Sequence, residues 1–260
     1  TVAQLIGGSV NTTFYHITIT NLVSVSLNQP IVVLGNWGGL GVFLGNGYLV
    51  YFNGTTAQTI LTGLATRFFD IRFNNATSVT LLSPLYLAGN WTNDGGFLAN
   101  GFGVYFAGLS GTQLIAGSVL TQFYHFTILT GAQVQLARVI SVLGDWTNNG
   151  TFLHGNFTVT FAGSIAQLIG GSTSTIFYGL TFANTGTVTL AQNIRVRGGW
   201  LINGVFAPGT FIVYFDGSIA QVIGGSAVST FFGLNILNTV GVSLSGPIFI
   251  RGNLVNDGLF

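Results

Sequence analysis

The chain has 260 residues, of which 4% are charged, with a formal net charge of +1 and neither Cys nor Met. A soluble domain ordinarily carries about 25% charged residues, and a near-neutral chain gives no electrostatic case for nucleic acid or an anionic membrane. Without cysteine there is no disulfide frame and no thiolate metal site. Mean hydropathy is +0.64, yet no run of about 18 uninterrupted apolar residues occurs, so membrane insertion is not expected.

Taken in order, the first stretch predicts six short strands at residues 4–6, 17–19, 25–27, 31–34, 41–43 and 49–52. Turn signals divide them: Gly7-Gly8-Ser9, Asn21, Asn28-Gln29-Pro30, Gly38-Gly39 and Gly45-Asn46-Gly47. Apolar and polar residues alternate, as in His16-Ile17-Thr18-Ile19-Thr20 and Val25-Ser26-Leu27, which marks strands with one buried face. The whole pattern then starts again. Gln4 returns as Gln58, Gln113, Gln167 and Gln221, at steps of 54, 55, 54 and 54. The one extra residue lies in the turn Leu109-Ser110-Gly111.

Other columns share this period. They are Phe14, Phe68, Phe123, Phe177 and Phe231; Phe43, Phe97, Phe152, Phe206 and Phe260; and Trp37, Trp91, Trp146 and Trp200, with Leu254 in the fifth place. Gly35, Gly89, Gly144, Gly198 and Gly252 form another column, and Gly54, Gly108, Gly163 and Gly217 a further one. A fixed period of this length marks a solenoid, propeller or stacked array. A stacked coil fits the turns better than a propeller of hairpins. The predicted fold is all-β: a parallel β-helix, or β-solenoid, running continuously over 1–260. Its repeats start near 3, 57, 112, 166 and 220, and the last is incomplete. Six strands per repeat predict two three-sided coils of about 27 residues each. Like residues are then expected in files along the axis, with each Gln amide bonding the next.

In the segments Gly89-Asn90-Trp91-Thr92-Asn93-Asp94-Gly95-Gly96-Phe97 and Gly144-Asp145-Trp146-Thr147-Asn148-Asn149-Gly150-Thr151-Phe152 the chain resembles the long repetitive β-helix proteins of bacterial surfaces, broadly the filamentous-haemagglutinin-like adhesins. The resemblance implies export, a right-handed parallel β-helix and an adhesive or scaffolding role. It brings no catalytic motif.

The titratable residues are sparse. His16 and His125 share one repeat position, which Asp70, Gly179 and Gly233 also occupy, whereas a metal ladder wants a ligand in every copy. With His154 they read as surface residues, and no metal or cofactor is expected. Asp70, Asp94, Asp145, Asp216 and Asp257 fall in different columns, so no catalytic pair and no enzyme is expected. Asp70 and Arg72 read as a surface ion pair on one strand. Arg195, Arg197 and Arg251 read as outward residues on neighbouring copies of one strand. Six Asn-x-Thr sequons, at Asn11, Asn53, Asn75, Asn90, Asn149 and Asn156, are candidates for glycosylation if the source modifies exported proteins.

The expected role is structural: an extracellular or cell-surface repeat protein that builds a filament, sheath or adhesin stalk by coil stacking. Thr1 in first place, without a leader, reads as a processed product or a window cut from a longer chain. Its partners are then further copies joined end to end, or more of the same polypeptide, with surface glycans as a further partner. The alternative from another class is a glycan-binding or glycan-cleaving β-helix.

Overall fold

The structure, a computed structural model, describes residues 2–260. It divides into two compact units, Thr1–Gln135 and Leu136–Phe260. Each is all-β, built from strands of two to five residues that pair in parallel. The expected parallel β-solenoid is therefore present in each unit.

Alternation in the sequence becomes alternation in burial. Val25–Leu27, Ile31–Val33, Val79–Leu81 and Ile194–Val196 each bury their first and third residues and leave the middle one partly exposed. The strands are short because the chain turns after every few residues, so each contributes one or two side chains to a narrow core. Parallel pairing to the coils above and below satisfies the backbone.

Three faces make one coil. In the N-terminal unit the first face starts with Gln4–Ile6, the second with Thr12–Phe14 and the third with Ile17–Thr18. Val25–Leu27 then returns to the first face, beside Gln4–Ile6. Along the second face Ile31 pairs with Val50, Val50 with Ile71, Ile71 with Trp91 and Trp91 with Ile115, at steps of 19, 21, 20 and 24. In the C-terminal unit Ile140, Val159, Leu180, Trp200 and Ile223 pair in succession at steps of 19, 21, 20 and 23. The series match step for step until the extra residue of the Leu109-Ser110-Gly111 turn.

One coil thus takes about 20 residues, at the short end of solenoid repeats, where the sequence suggested about 27. Two strands were missed: Thr12–Phe14 and Trp37–Gly38. Neither shows a clean two-residue alternation: Thr12–Phe14 lies soon after the Gly7-Gly8-Ser9 turn, and Trp37–Gly38 runs into the Gly38-Gly39 turn. Restoring them gives eight strands in the first repeat. Eight strands on a three-sided coil do not close on a whole number of turns, so each repeat begins one face away from the last. Gln4, Gln58 and Gln113 lie in three different sheets of the N-terminal unit, and Gln167 and Gln221 in two different sheets of the C-terminal unit. Likewise Phe14 stands on the second face, Phe68 pairs with Leu87 on the first, and Phe123 ends a strand beside Phe97–Leu98 on the third. The expected files of Gln and Phe copies, one repeat directly above the last, are therefore not formed among the described residues.

The recurring residues meet in another way. Trp37 packs edge-on against Phe43, with ring centroids 4.6 Å apart, and tilted against Phe68 at 4.8 Å. Trp91 does the same with Phe97 and Phe123, Trp146 with Phe152 and Phe177, and Trp200 with Phe206 and Phe231. Three columns therefore supply one aromatic triad per repeat, with the Trp from one face and both Phe from another. Such contacts add to the gain from burying the rings. Phe260 lies outside this scheme and is exposed.

The glutamines do not bond one another either. Gln113 Nε2 donates to the carbonyls of Leu87 and Gly89, at 3.0 and 2.9 Å, and Oε1 accepts from Gly108 N–H at 2.8 Å. Gln58, Gln167 and Gln221 repeat all three bonds. Each carboxamide ties a corner of one coil to a corner of the coil before it. This explains one glycine column. A Cβ on Gly108 would lie 2.8 Å from Gln113 Cδ and collide with the Ala88 carbonyl. Gln4 differs: it is exposed, and its Oε1 accepts from Asn21 Nδ2.

Candidate functional site

Two further polar columns acquire a role in the folded chain. Asn75 and Asn238 are buried and donate from Nδ2 to Gln58 Oε1 and Gln221 Oε1, at 2.9 and 2.8 Å. Thr121, Thr175 and Ser229 accept from the indole N–H of Trp91, Trp146 and Trp200, at 3.1, 3.1 and 3.2 Å. Thr66, at the equivalent place, turns its hydroxyl to Gly41 O, and Trp37 Nε1 has no partner among the described residues. The spacing alone marks these columns in the sequence, although Thr and Ser interchange within one of them.

Asn75 corrects the glycosylation expectation at that position. Its side chain is fully buried and its amide also donates to Thr56 O, so the folded chain leaves no access to it. Asn11, Asn90 and Asn156 are exposed, and Asn53 and Asn149 are half-buried.

The charged and imidazole groups mostly find specific neighbours. Arg72 pairs with Asp94, one coil on, at 2.8 Å, and Asp70 instead accepts from Asn90 N–H at 2.6 Å. The expected pair within one strand is not formed, because both side chains find partners on the following coil. Burial raises the Asp94 carboxyl, but bonds from the Ser118 N–H and hydroxyl, with the charge of Arg72, hold it below its usual range. Asp145 Oδ1 accepts from Leu168 N–H at 2.8 Å. His16 Nδ1 accepts from Asn36 N–H at 2.8 Å, and His125 packs edge-on against Tyr124. Ile194–Val196 and Ile248–Ile250 belong to different sheets, so Arg251 does not join Arg195 and Arg197.

The strongest gathering of polar groups lies at one corner of the C-terminal unit. Residues 154–157 form a tight turn in which Phe157 N–H donates to His154 O at 2.9 Å. Gly155 and Asn156 take φ of 56° and 65°, as a type I′ turn requires. The turn holds His154 over Tyr178, ring centroids 5.6 Å apart. Arg197, His154, Tyr178, Asn156, Ser218 and Ile219 line a cleft of about 290 Å³. A second, narrower hollow of about 150 Å³ shares His154 and Arg197.

Electrostatics at this corner follow from one shared carboxylate. Arg195 Nη1 contacts Asp216 Oδ2 at 2.6 Å and lies over the Tyr214 ring at 5.0 Å. Arg197 Nε stands 3.6 Å from Asp216 Oδ1, too far for a hydrogen bond. Two guanidinium groups against one carboxylate leave a net positive charge. Burial, then repulsion from Arg197, hold the His154 imidazole below its ordinary value of 6.5, against the pull of Asp216. His154 Nδ1 accepts from Asn156 N–H at 3.0 Å, so the neutral ring carries its proton on Nε2.

Among the described residues no group of three or more His, Cys, Asp or Glu could hold a metal ion, and no helix is long and apolar enough to cross a membrane. No known protein family, curated protein or solved structure matches the chain.

Proposed function

We propose that the chain is a structural repeat protein of the cell exterior, serving as the shaft of a filament, sheath or adhesin stalk. The observation that carries this reading is the use of the buried glutamines. Gln58, Gln113, Gln167 and Gln221 are the buried polar side chains repeated most faithfully, and all spend their bonding capacity on corner backbone. A buried polar group that recurs copy after copy and is satisfied by backbone serves the scaffold. Here they hold one coil to the next. Asn, Thr and Ser columns add to the same end.

Two further features support display outside the cell. The absence of cysteine removes thiol oxidation as a liability. Low charge leaves the outward surface to uncharged side chains, Thr, Ser and Asn interspersed with exposed Leu and Val. A parallel coil also offers a row of unpaired N–H and C=O groups to any further coil of the same geometry. Stacking of copies end to end, or longer runs of the same repeat, would use that row.

Electron microscopy and sedimentation of the purified chain over a range of concentrations test the filament. Concentration-dependent fibres with an axial spacing of about 4.8 Å are expected. Monomers alone at every concentration would remove the self-assembling form of the proposal. The second reading, a glycan-binding β-helix, draws on the cleft at His154, and not on paired carboxylates of the kind a glycan-cleaving enzyme needs.

A further inference from the structure

The corner at His154 has a counterpart in the N-terminal unit that fixes what is special about it. Two repeats on, Gly45 becomes His154, Gly47 becomes Asn156, Phe69 becomes Tyr178 and Ala88 becomes Arg197. All four of these N-terminal residues line a cleft of about 330 Å³. The hollow is therefore a product of the fold, formed where a type I′ turn stands off the coil behind it. Its chemistry is not. At the His154 position the other copies carry Gly45, Ala99 and Pro208, and at the Arg197 position Leu34, Ala88, Leu143 and Arg251. Only one copy combines imidazole, phenol and guanidinium.

The donors of that copy are unspent. Arg197 makes no hydrogen bond to the described residues through its two terminal nitrogens, and its side chain is 45% exposed. The hydroxyls of Tyr178 and Ser218 have no hydrogen-bond partner among the described residues either, and His154 Nε2–H points away from the turn that holds Nδ1. Asp216 Oδ1, buried and without a hydrogen bond from them, holds Arg197 in place from behind at 3.6 Å. A planar guanidinium with a free fork matches a carboxylate in two parallel bonds. Neutral donors around it match the hydroxyls of the same ligand.

We propose that the cleft formed by His154, Tyr178, Arg197 and Ser218 binds a carboxylate-bearing sugar unit, the carboxylate on Arg197 and the ring hydroxyls on Tyr178, Ser218 and His154 Nε2–H. Its volume of about 290 Å³ admits one such ring and no more. The site decorates one corner and stands independently of the filament reading.

The test is calorimetric titration of the whole chain with D-glucuronate, D-glucose and acetate. Glucuronate is expected to bind saturably, about tenfold or more tightly than either of the other two, because each lacks one half of the match. Arg197→Gln is expected to weaken glucuronate by about tenfold or more and Tyr178→Phe by a few-fold. Arg251→Gln, remote from the cleft, is expected to leave binding unchanged. Circular dichroism checks that each variant folds, and should Arg197→Gln fail, the doublet Tyr178→Phe with Ser218→Ala takes its place. No saturable glucuronate binding, equal binding of acetate, or the same loss in Arg251→Gln would each overturn the proposal.

Discussion

The turn at residues 45–48 and the turn at residues 154–157 share a backbone. Both close with an N–H to carbonyl bond of 2.9 Å between their outer residues, and both carry two central residues at positive φ. One fronts a cleft walled by Gly45, Phe69, Ala88 and an Arg67 whose Nη1 bonds the Leu64 and Thr66 carbonyls, the other a cleft walled by His154, Tyr178 and Arg197. The scaffold therefore sets the hollow, and side chains that the scaffold does not need set its character. Gly45 could not be exchanged for His in place: a Cβ there would collide with Phe69 N. The polar corner required a local shift of the chain as well as new side chains.

If the two units share one scaffold, breaking an aromatic triad should cost the same in each. Trp91→Ala and Trp146→Ala are each expected to lose about 4 kcal/mol, read from denaturant midpoints. A difference of more than about 2 kcal/mol between them would mean that the triads are not equivalent. Removing the corner tie comes next. Gln58→Leu and Gln167→Leu each strand one backbone N–H and two carbonyls, which water satisfies in part, at an expected cost of about 3 kcal/mol. Gln58→Leu also removes the acceptor of the Asn75 amide, so it is expected to cost the more of the two. Thr121→Val and Thr175→Val leave an indole N–H unpartnered and should cost about 1–2 kcal/mol. Trp37 has an indole N–H that already lacks a partner among the described residues. Thr66→Val loses only a long hydroxyl bond to Gly41 O and no indole bond, and is accordingly expected to cost less than either, under about 1 kcal/mol.

The smallest effects separate the units by pH. In the N-terminal unit the folded Asp94 carboxyl lies below its ordinary 3.8. Its contribution is present above that value and is lost as pH falls through the lowered one. Asp94→Asn should therefore flatten the acid limb of stability below about pH 4. In the C-terminal unit the folded His154 lies below 6.5. The fold favours the neutral ring, so stability declines as pH falls from 6.5 toward the lowered value. His154→Gln should remove that decline, measured as urea midpoints on either side of that window. A decline unchanged by His154→Gln would place its origin elsewhere in the chain.

The period and the alternation in Val25-Ser26-Leu27 and its sister copies were enough to read a parallel solenoid, because inward and outward residues differ so sharply. The face on which each residue sits was not legible. That depends on counting strands, and Thr12–Phe14 and Trp37–Gly38 carry too little alternation to be counted. Those two uncounted strands made the predicted coil too long, and restoring them dissolved the files of Gln and Phe copies. His154 reads as no more than a surface residue for a related reason: the repeat offers no second copy of it. The useful signal was the reverse: a position that is Gly45, Ala99 and Pro208 elsewhere and becomes His154 once.

Eight strands against three faces make the repeat a vernier. Lengthening such a coil by one repeat would swing every later decoration through a third of a revolution, and three repeats would restore its azimuth. A gene that gains or loses repeats would thus re-aim its surface features without altering one of them. Handling of direction by arithmetic, with no new residue required, is open to any solenoid whose repeat and coil are out of step.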